Sequence, residues 1–211
     1  MQCNTTLGDC GCDNCQGIVQ DVSNRLDDLA KYEAYLGLWP KTKMHCPQSF
    51  HGENYWFRDP TVDEEFVMNT LAFNHGAKSI VSWVYPASDS LSEAHGALSR
   101  VVTQSPVVEF LVGAKFQKID VELSDYEVVD ASSWVVGDQM LVCIVNGGYV
   151  DIEEPISVPV ENATLIASVP WGNVSWELID EELHAPSLSA LATSILILNL
   201  SSGYDRVFSE H

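Results

Sequence analysis

The sequence predicts a mixed α+β chain: a short run of parallel strand–helix units followed by an antiparallel β-sandwich. Two observations carry this. From Lys43 to about Ser105, strand-like and helix-like runs alternate, the order of a parallel sheet with crossover helices. Beyond Pro106 the hydrophobic period changes to two, with turn residues recurring about every 8–12 positions, as in sandwiches. A closed parallel barrel requires eight strand–helix units and roughly 200–250 residues. With two strands and their helices visible, residues 1–106 read as the C-terminal fragment of such a barrel and residues 107–211 as a small sandwich domain.

Each element has its own justification. Residues 1–15 are polar, Gly-rich and Cys-rich and read as a loop. From Gln16 to Leu36 the apolar positions Ile18, Val22, Leu26, Leu29, Tyr32 and Leu36 recur at helical spacing, and Gly37 and Pro40 stop the run. Lys43–Gln48 is a short strand, followed by a loop with Phe50, Tyr55 and Trp56. Thr61-x-x-Glu64 is a capping box, opening a helix with Phe66, Val67, Leu71 and Phe73 that Gly76 closes. Ser79–Tyr85 is an apolar strand of the buried parallel type. Ser90-x-x-Glu93 opens another helix, with Leu91, Ala94, Leu98 and Val101 inward. Further on, Phe116–Leu123, Ser132–Val136, Met140–Asn146, Ile156–Val160, Thr164–Val169, Ser175–Leu178 and Leu191–Leu200 have strand length, separated by turns such as Gly137-Asp138 and Asn146-Gly147-Gly148.

The 211 residues carry 10 basic and 30 acidic side chains, a net charge of −20. Nucleic acid and anionic membrane surfaces are excluded as partners, because phosphate contacts need clustered Lys and Arg. The longest apolar stretch, around Ile195–Leu198, is too short to span a bilayer. Six cysteines (Cys3, Cys10, Cys12, Cys15, Cys46, Cys143) accompany four glycosylation sequons at Asn4, Asn162, Asn173 and Asn199. Together with the acidic composition they favour a protein of the secretory pathway or the extracellular space. The first residues, MQCNTTLGDCGC, have neither the positive region nor the apolar run of a signal peptide.

Cys10, Cys12 and Cys15 form the densest cluster. A zinc site would need a second ligand pair at the usual spacing, so disulfide pairing with Cys3 nearby is the reading adopted, with no metal and no cofactor expected. Cys46 and Cys143 fall in strands, where a buried free thiol is common. Gln48 lies at the C-terminal end of the first strand, the active-site face of parallel barrels; it reads either as a donor to a sugar hydroxyl or as a strand-end cap. Glu53, the carboxylate nearest the strand end in the next loop, is a candidate catalytic group or a solvated loop residue, since glycoside hydrolysis needs two carboxylates. Tyr55, Trp56, Trp83 and Tyr85 read as sugar-stacking rings or as a barrel plug. Arg58 and Asp59 read as an ion pair beside a helix start, and His75 as a helix cap.

GDCGCDNCQG, QDVSNRLDDL, CPQSFHGENYW, RDPTVDEE and LAFNHGAKSIVSW resemble a group of secreted fungal proteins with a glycoside-hydrolase-type core, a TIM barrel followed by a small β-sandwich. The resemblance runs from about Leu7 to Leu200 and covers the C-terminal part of the family's length. It implies that CPQSF is the seventh barrel strand and SIVSW the eighth. Retaining barrel glycosidases usually carry the nucleophile glutamate at the end of the seventh strand, where this chain has Gln48. The resemblance implies a glycoside-hydrolase-like protein that acts on or binds polysaccharide, with this portion inactive by itself. The alternative is a non-catalytic carbohydrate-binding or cell-wall structural protein.

Overall fold

The computed structural model describes residues 16–52, 56–121 and 128–201, and it divides into two compact units, Met1–Arg100 and Val101–His211. Four helices and ten strands occur among the described residues.

In the first unit, α1 spans Asp21–Tyr35. It starts later than the periodicity suggests because the Asp21 carboxylate accepts the backbone N–H groups of Gln16, Gly17 and Ile18, folding them into a turn. α1 contributes Val22 and Leu26 to a small core with Ala72 and Ala77. A second tie is the ion pair of Glu33 with Lys43 at 2.9 Å; the hydrogen bond from Lys43 holds the Glu33 carboxyl below its ordinary pKa. The first strand, β1, is Lys43–His45. α2 spans Val62–Asn74 and starts on the expected capping box: Thr61 Oγ1 accepts the Glu64 N–H, and the Glu64 carboxylate accepts the Thr61 N–H. It is buried on almost every side, Glu65, Asn69 and Thr70 included. β2 (Ala77–Ile80) pairs parallel to β1, Met44 opposite Ser79 and His45 opposite Ile80. α3 (Asp89–Val102) buries Leu91, Ala94 and Leu98, as its spacing predicts.

Both strands are shorter than the sequence reading, and Pro47 is the reason. The N–H of Val81 reaches the His45 carbonyl at 2.8 Å, and the next bond of a parallel ladder would come from the N–H of residue 47. Proline has none. Pairing resumes one step later as an isolated bridge between Gln48 and Trp83.

In the second unit, α4 (Val107–Gly113) buries Val107, Phe110 and Leu111, a helix the sequence reading did not contain. β3 is Gln117–Ile119, β4 Val129–Val136, β5 Gln139–Asn146, β6 Ile156–Pro159, β7 Ala163–Trp171, β8 Glu177–Ile179, β9 Glu182–Ala185 and β10 Thr193–Leu200. They form a five-stranded sheet, β3-β4-β5-β10-β7, and a three-stranded sheet, β6-β9-β8, antiparallel throughout. Val142, Ile144, Leu196 and Leu198 from the larger sheet meet Ile156, Val158 and Leu183 from the smaller one in a shared core. Seven strands lie where the sequence put them; β9 was missed. Its hairpin with β8 turns through Asp180 and Glu181, both at positive φ (49° and 64°), without the glycine that usually marks such a turn.

Candidate functional site

The C-terminal ends of β1 and β2 carry the residues singled out from the sequence. Trp83 N–H bonds to the Pro47 carbonyl at 2.9 Å, and Ser49 N–H to the Trp83 carbonyl at 2.5 Å. Gln48 and Trp83 are thus direct partners on one face of the pair. Alternation puts Met44, Cys46 and Val81 on that face too, and it is open: Met44 is 61% exposed, Val81 52% and Trp83 61%. The other face meets the helices.

Gln48 behaves as the strand-end cap. Its Nε2 donates to the carbonyls of Phe50, at 2.7 Å, and Arg58, at 2.9 Å, which pins both ends of the intervening loop. Trp56 packs in that loop against Phe50, ring centroids 5.3 Å apart at 48°. Tyr85 is 90% exposed. Glu53 and Tyr55 lie outside the described residues. The structure therefore brings Gln48 and Trp83 side by side and puts Trp56 in the loop that Gln48 holds.

Two readings are corrected, the Arg58–Asp59 pair and a buried Cys46, while His75 as a cap and a buried Cys143 hold. Arg58 does not pair with the Asp59 carboxylate: its guanidinium grips both oxygens of Glu64 at 2.7 Å each, and Asp59 pairs instead with His51 at 2.9 Å. The Glu64 carboxylate, which also caps α2, is the better-placed acceptor for a planar fork. His75 is the C-cap of α2, and its Nδ1 lies 2.7 Å from an Asp27 oxygen, joining α1 to α2. Cys46 is exposed rather than buried, because it falls on the open face of the strand pair, whereas Cys143 is buried with its thiol pushed up by desolvation and by Asp130. Cys3, Cys10, Cys12, Cys15 and Asn4 lie outside the described residues. Asn173 is exposed; Asn162 is half-buried; Asn199 sits in β10, its Oδ1 accepting from Gln139 at 3.1 Å. Among the described residues no group of three or more His, Cys, Asp or Glu could hold a metal ion, and no helix is long and apolar enough to cross a membrane.

Sequence reasoning missed a polar cluster on the helix-covered face. Nε2 of His95 on α3 lies 2.6 Å from Glu65 Oε1 on α2, 3.2 Å from Ser82 Oγ and 3.4 Å from Ser49 Oγ. Asn69 Nδ2 donates to the same Glu65 oxygen at 3.1 Å. Glu65 is fully buried, and its Oε2 has no hydrogen-bond partner among the described residues. Burial pushes its carboxyl above the usual glutamate range, against the pull of His95 and Asn69. The available signal was the polar pair Glu65 and Asn69, four residues apart and so on one face of α2.

No protein-family model matches the chain, and no curated protein matches it. Solved structures do. A Nostoc punctiforme debranching enzyme, soaked with acarbose, is similar over 81% of this chain and 37% of its own, at TM-score 0.54 and 13% identity. An Anoxybacillus α-amylase, described as a new glycosyl hydrolase subclass, covers 88% of this chain and 46% of its own, at TM-score 0.56 and 10% identity. A noncanonic maltogenic α-amylase from Thermotoga neapolitana covers 86% and 50%, at TM-score 0.56 and 12% identity. The chain has the fold of part of an amylase-type glycoside hydrolase. It spans half or less of the length of these neighbours.

Proposed function

We propose that this chain is the C-terminal portion of a glycoside-hydrolase-like protein that acts on or binds polysaccharide, and that it is catalytically inactive by itself. The observation that carries the reading is the open face at the ends of β1 and β2, where Trp83 stands beside Gln48 on a strand pair with the fold of amylase-type enzymes. An exposed indole suits the C–H-rich face of a pyranose. Acid–base hydrolysis needs a second carboxylate across the scissile bond, and Glu53 is the one candidate read from the sequence. The amide of Gln48, occupied by two carbonyls, supplies none. Residues 1–106 are read as barrel fragment and 107–211 as sandwich. Four sequons and the cysteines of the first fifteen residues support a secreted glycoprotein with a disulfide in that segment, and the sequence motifs support a fungal source. The second reading is a non-catalytic carbohydrate-binding or wall protein, favoured by Gln48 at the position where the resemblance implies a nucleophile glutamate.

Affinity electrophoresis in gels cast with soluble starch, a β-glucan or chitin fragments, together with aryl-glycoside assays, tests this. Retarded migration in one gel, relieved about tenfold by Trp83→Ala, with no turnover, is expected. Migration unaffected by all three polysaccharides would sink the carbohydrate reading. Turnover abolished by Glu53→Gln would overturn the inactivity.

A further inference from the structure

Ser49, Glu65, Ser82 and His95 come from four different segments: the end of β1, α2, the end of β2, and α3. They meet at one atom, the Nε2 of His95, at 3.4, 2.6 and 3.2 Å from the Ser49, Glu65 and Ser82 oxygens respectively. Ser49 directly follows Gln48 and Ser82 directly precedes Trp83, so strand alternation puts the serines on the helix side and Gln48 and Trp83 on the open side. We propose that His95, backed by Glu65, is a positioning residue that clamps the ends of β1 and β2 together and thereby sets the placement of Gln48 and Trp83. Its functional meaning rests on the sugar-wall reading of Trp83.

The arrangement is not a nucleophilic relay. Such a relay places the acid on one ring nitrogen and the hydroxyl on the other, whereas here both address Nε2. Ser49, moreover, is only 1% exposed and meets no substrate. The clamp has a mechanical reason to exist. Pro47 deletes a ladder bond just before the strand ends, so main-chain pairing there is limited to Trp83 N–H to Pro47 and Ser49 N–H to Trp83. His95 and Glu65 tie the same two strand ends from behind, and Asn69 holds the Glu65 oxygen in place. From α2 the ring is faced by Glu65, its one ion-pair partner among the described residues; from β1 and β2 it is faced by hydroxyls alone. A charged Glu65 strengthens the contact through a charge-assisted bond, and a proton on Glu65 weakens it.

Amide hydrogen exchange of the full chain, with no sugar present, reads this directly at Ser49 and Trp83, using Leu71 and Ala72 of α2 as reference within the same unit. His95→Leu raises exchange at Ser49 and Trp83 roughly tenfold, the cost of one charge-assisted bond, and leaves Leu71 and Ala72 unchanged. His95→Gln, which keeps an N–H donor, restores most of the protection. If His95→Leu does not fold, His95→Gln beside Glu65→Gln, which removes the charge from the carboxylate, decides. Unchanged exchange at Ser49 and Trp83, or an equal loss at Leu71 and Ala72, would each overturn the clamp. Because no sugar is used, a clamp that passes while every polysaccharide gel is negative sinks the function and leaves the positioning role standing.

Discussion

The side-chain amide of Gln48 donates to the main-chain carbonyl of Arg58 at 2.9 Å, across ten residues of chain, while the same nitrogen reaches Phe50. Both partners are acceptors, so the position requires a donor. Gln48→Glu sets an anionic oxygen against two carbonyls. We expect it to destabilise the first unit by roughly 2–3 kcal/mol without creating hydrolysis. Denaturant unfolding beside an aryl-glycoside assay checks both halves; a stable, hydrolytic Gln48→Glu protein would show that the loop is not held this way.

Gly172 follows β7 with φ +100°, and a Cβ there would lie 2.4 Å from the Thr193 carbonyl oxygen. The obstacle is backbone of β10, which cannot rotate away. Gly172→Ala is expected to cost at least about 2 kcal/mol, read as a lowered midpoint in thermal or denaturant unfolding. An unchanged midpoint would mean that the β7 end and β10 are further apart than described.

The two described cysteines should separate cleanly by reactivity. Cys46 is exposed, whereas Cys143 is buried in β5 with its thiol pushed up by burial and by Asp130, so little thiolate is available. A thiol reagent added to native protein labels Cys46 and spares Cys143 until denaturant is added. Peptide mapping of the label decides; native labelling of Cys143 contradicts the packing of the five-stranded sheet.

Acidification should weaken the first unit through His45. Burial pushes this imidazole from an ordinary 6.5 to about 4, so between those values the unfolded chain holds more protons than the folded one. Stability is then complete above about pH 6.5 and is lost as the pH falls toward 4, by up to about 3 kcal/mol. Glu65 acts with the opposite sign: its raised pKa stabilises the fold at low pH and gives that up as the pH rises through the folded value. The two contributions are separable by substitution. His45→Asn should flatten the acid limb of the stability profile, and a limb unchanged by that substitution would place the proton uptake elsewhere.

Periodicity and turn chemistry were enough to locate α2 and its capping box, the burial face of α3 and seven of the sandwich strands, because each is dictated within a few residues. What the sequence hid was set by non-local or missing partners. β1 and β2 stop early because of a hydrogen bond that Pro47 cannot make. β9 was overlooked because its turn forces Asp180 and Glu181 to positive φ without a glycine. α4 was passed over because the run Val107–Val112 is too short for its period to declare itself. At the site, Gln48 and Trp83 were legible from their places at strand ends. The His95 cluster was not, since its members are scattered over four segments and only the fold assembles them.

The last of the described strands, β10, occupies an inner position of the five-stranded sheet, between β5 and β7. This fixes an order of events during synthesis. β3, β4 and β5 can pair as they emerge, but β7 has no neighbour in that sheet until residues 193–200 are made. Until then β5 presents an apolar open edge to the cytosol or to a translocation channel, where it is free to recruit a strand from another molecule. A ribosome that stalls before Thr193, or a message truncated there, would therefore release a chain prone to aggregation rather than one merely a strand short.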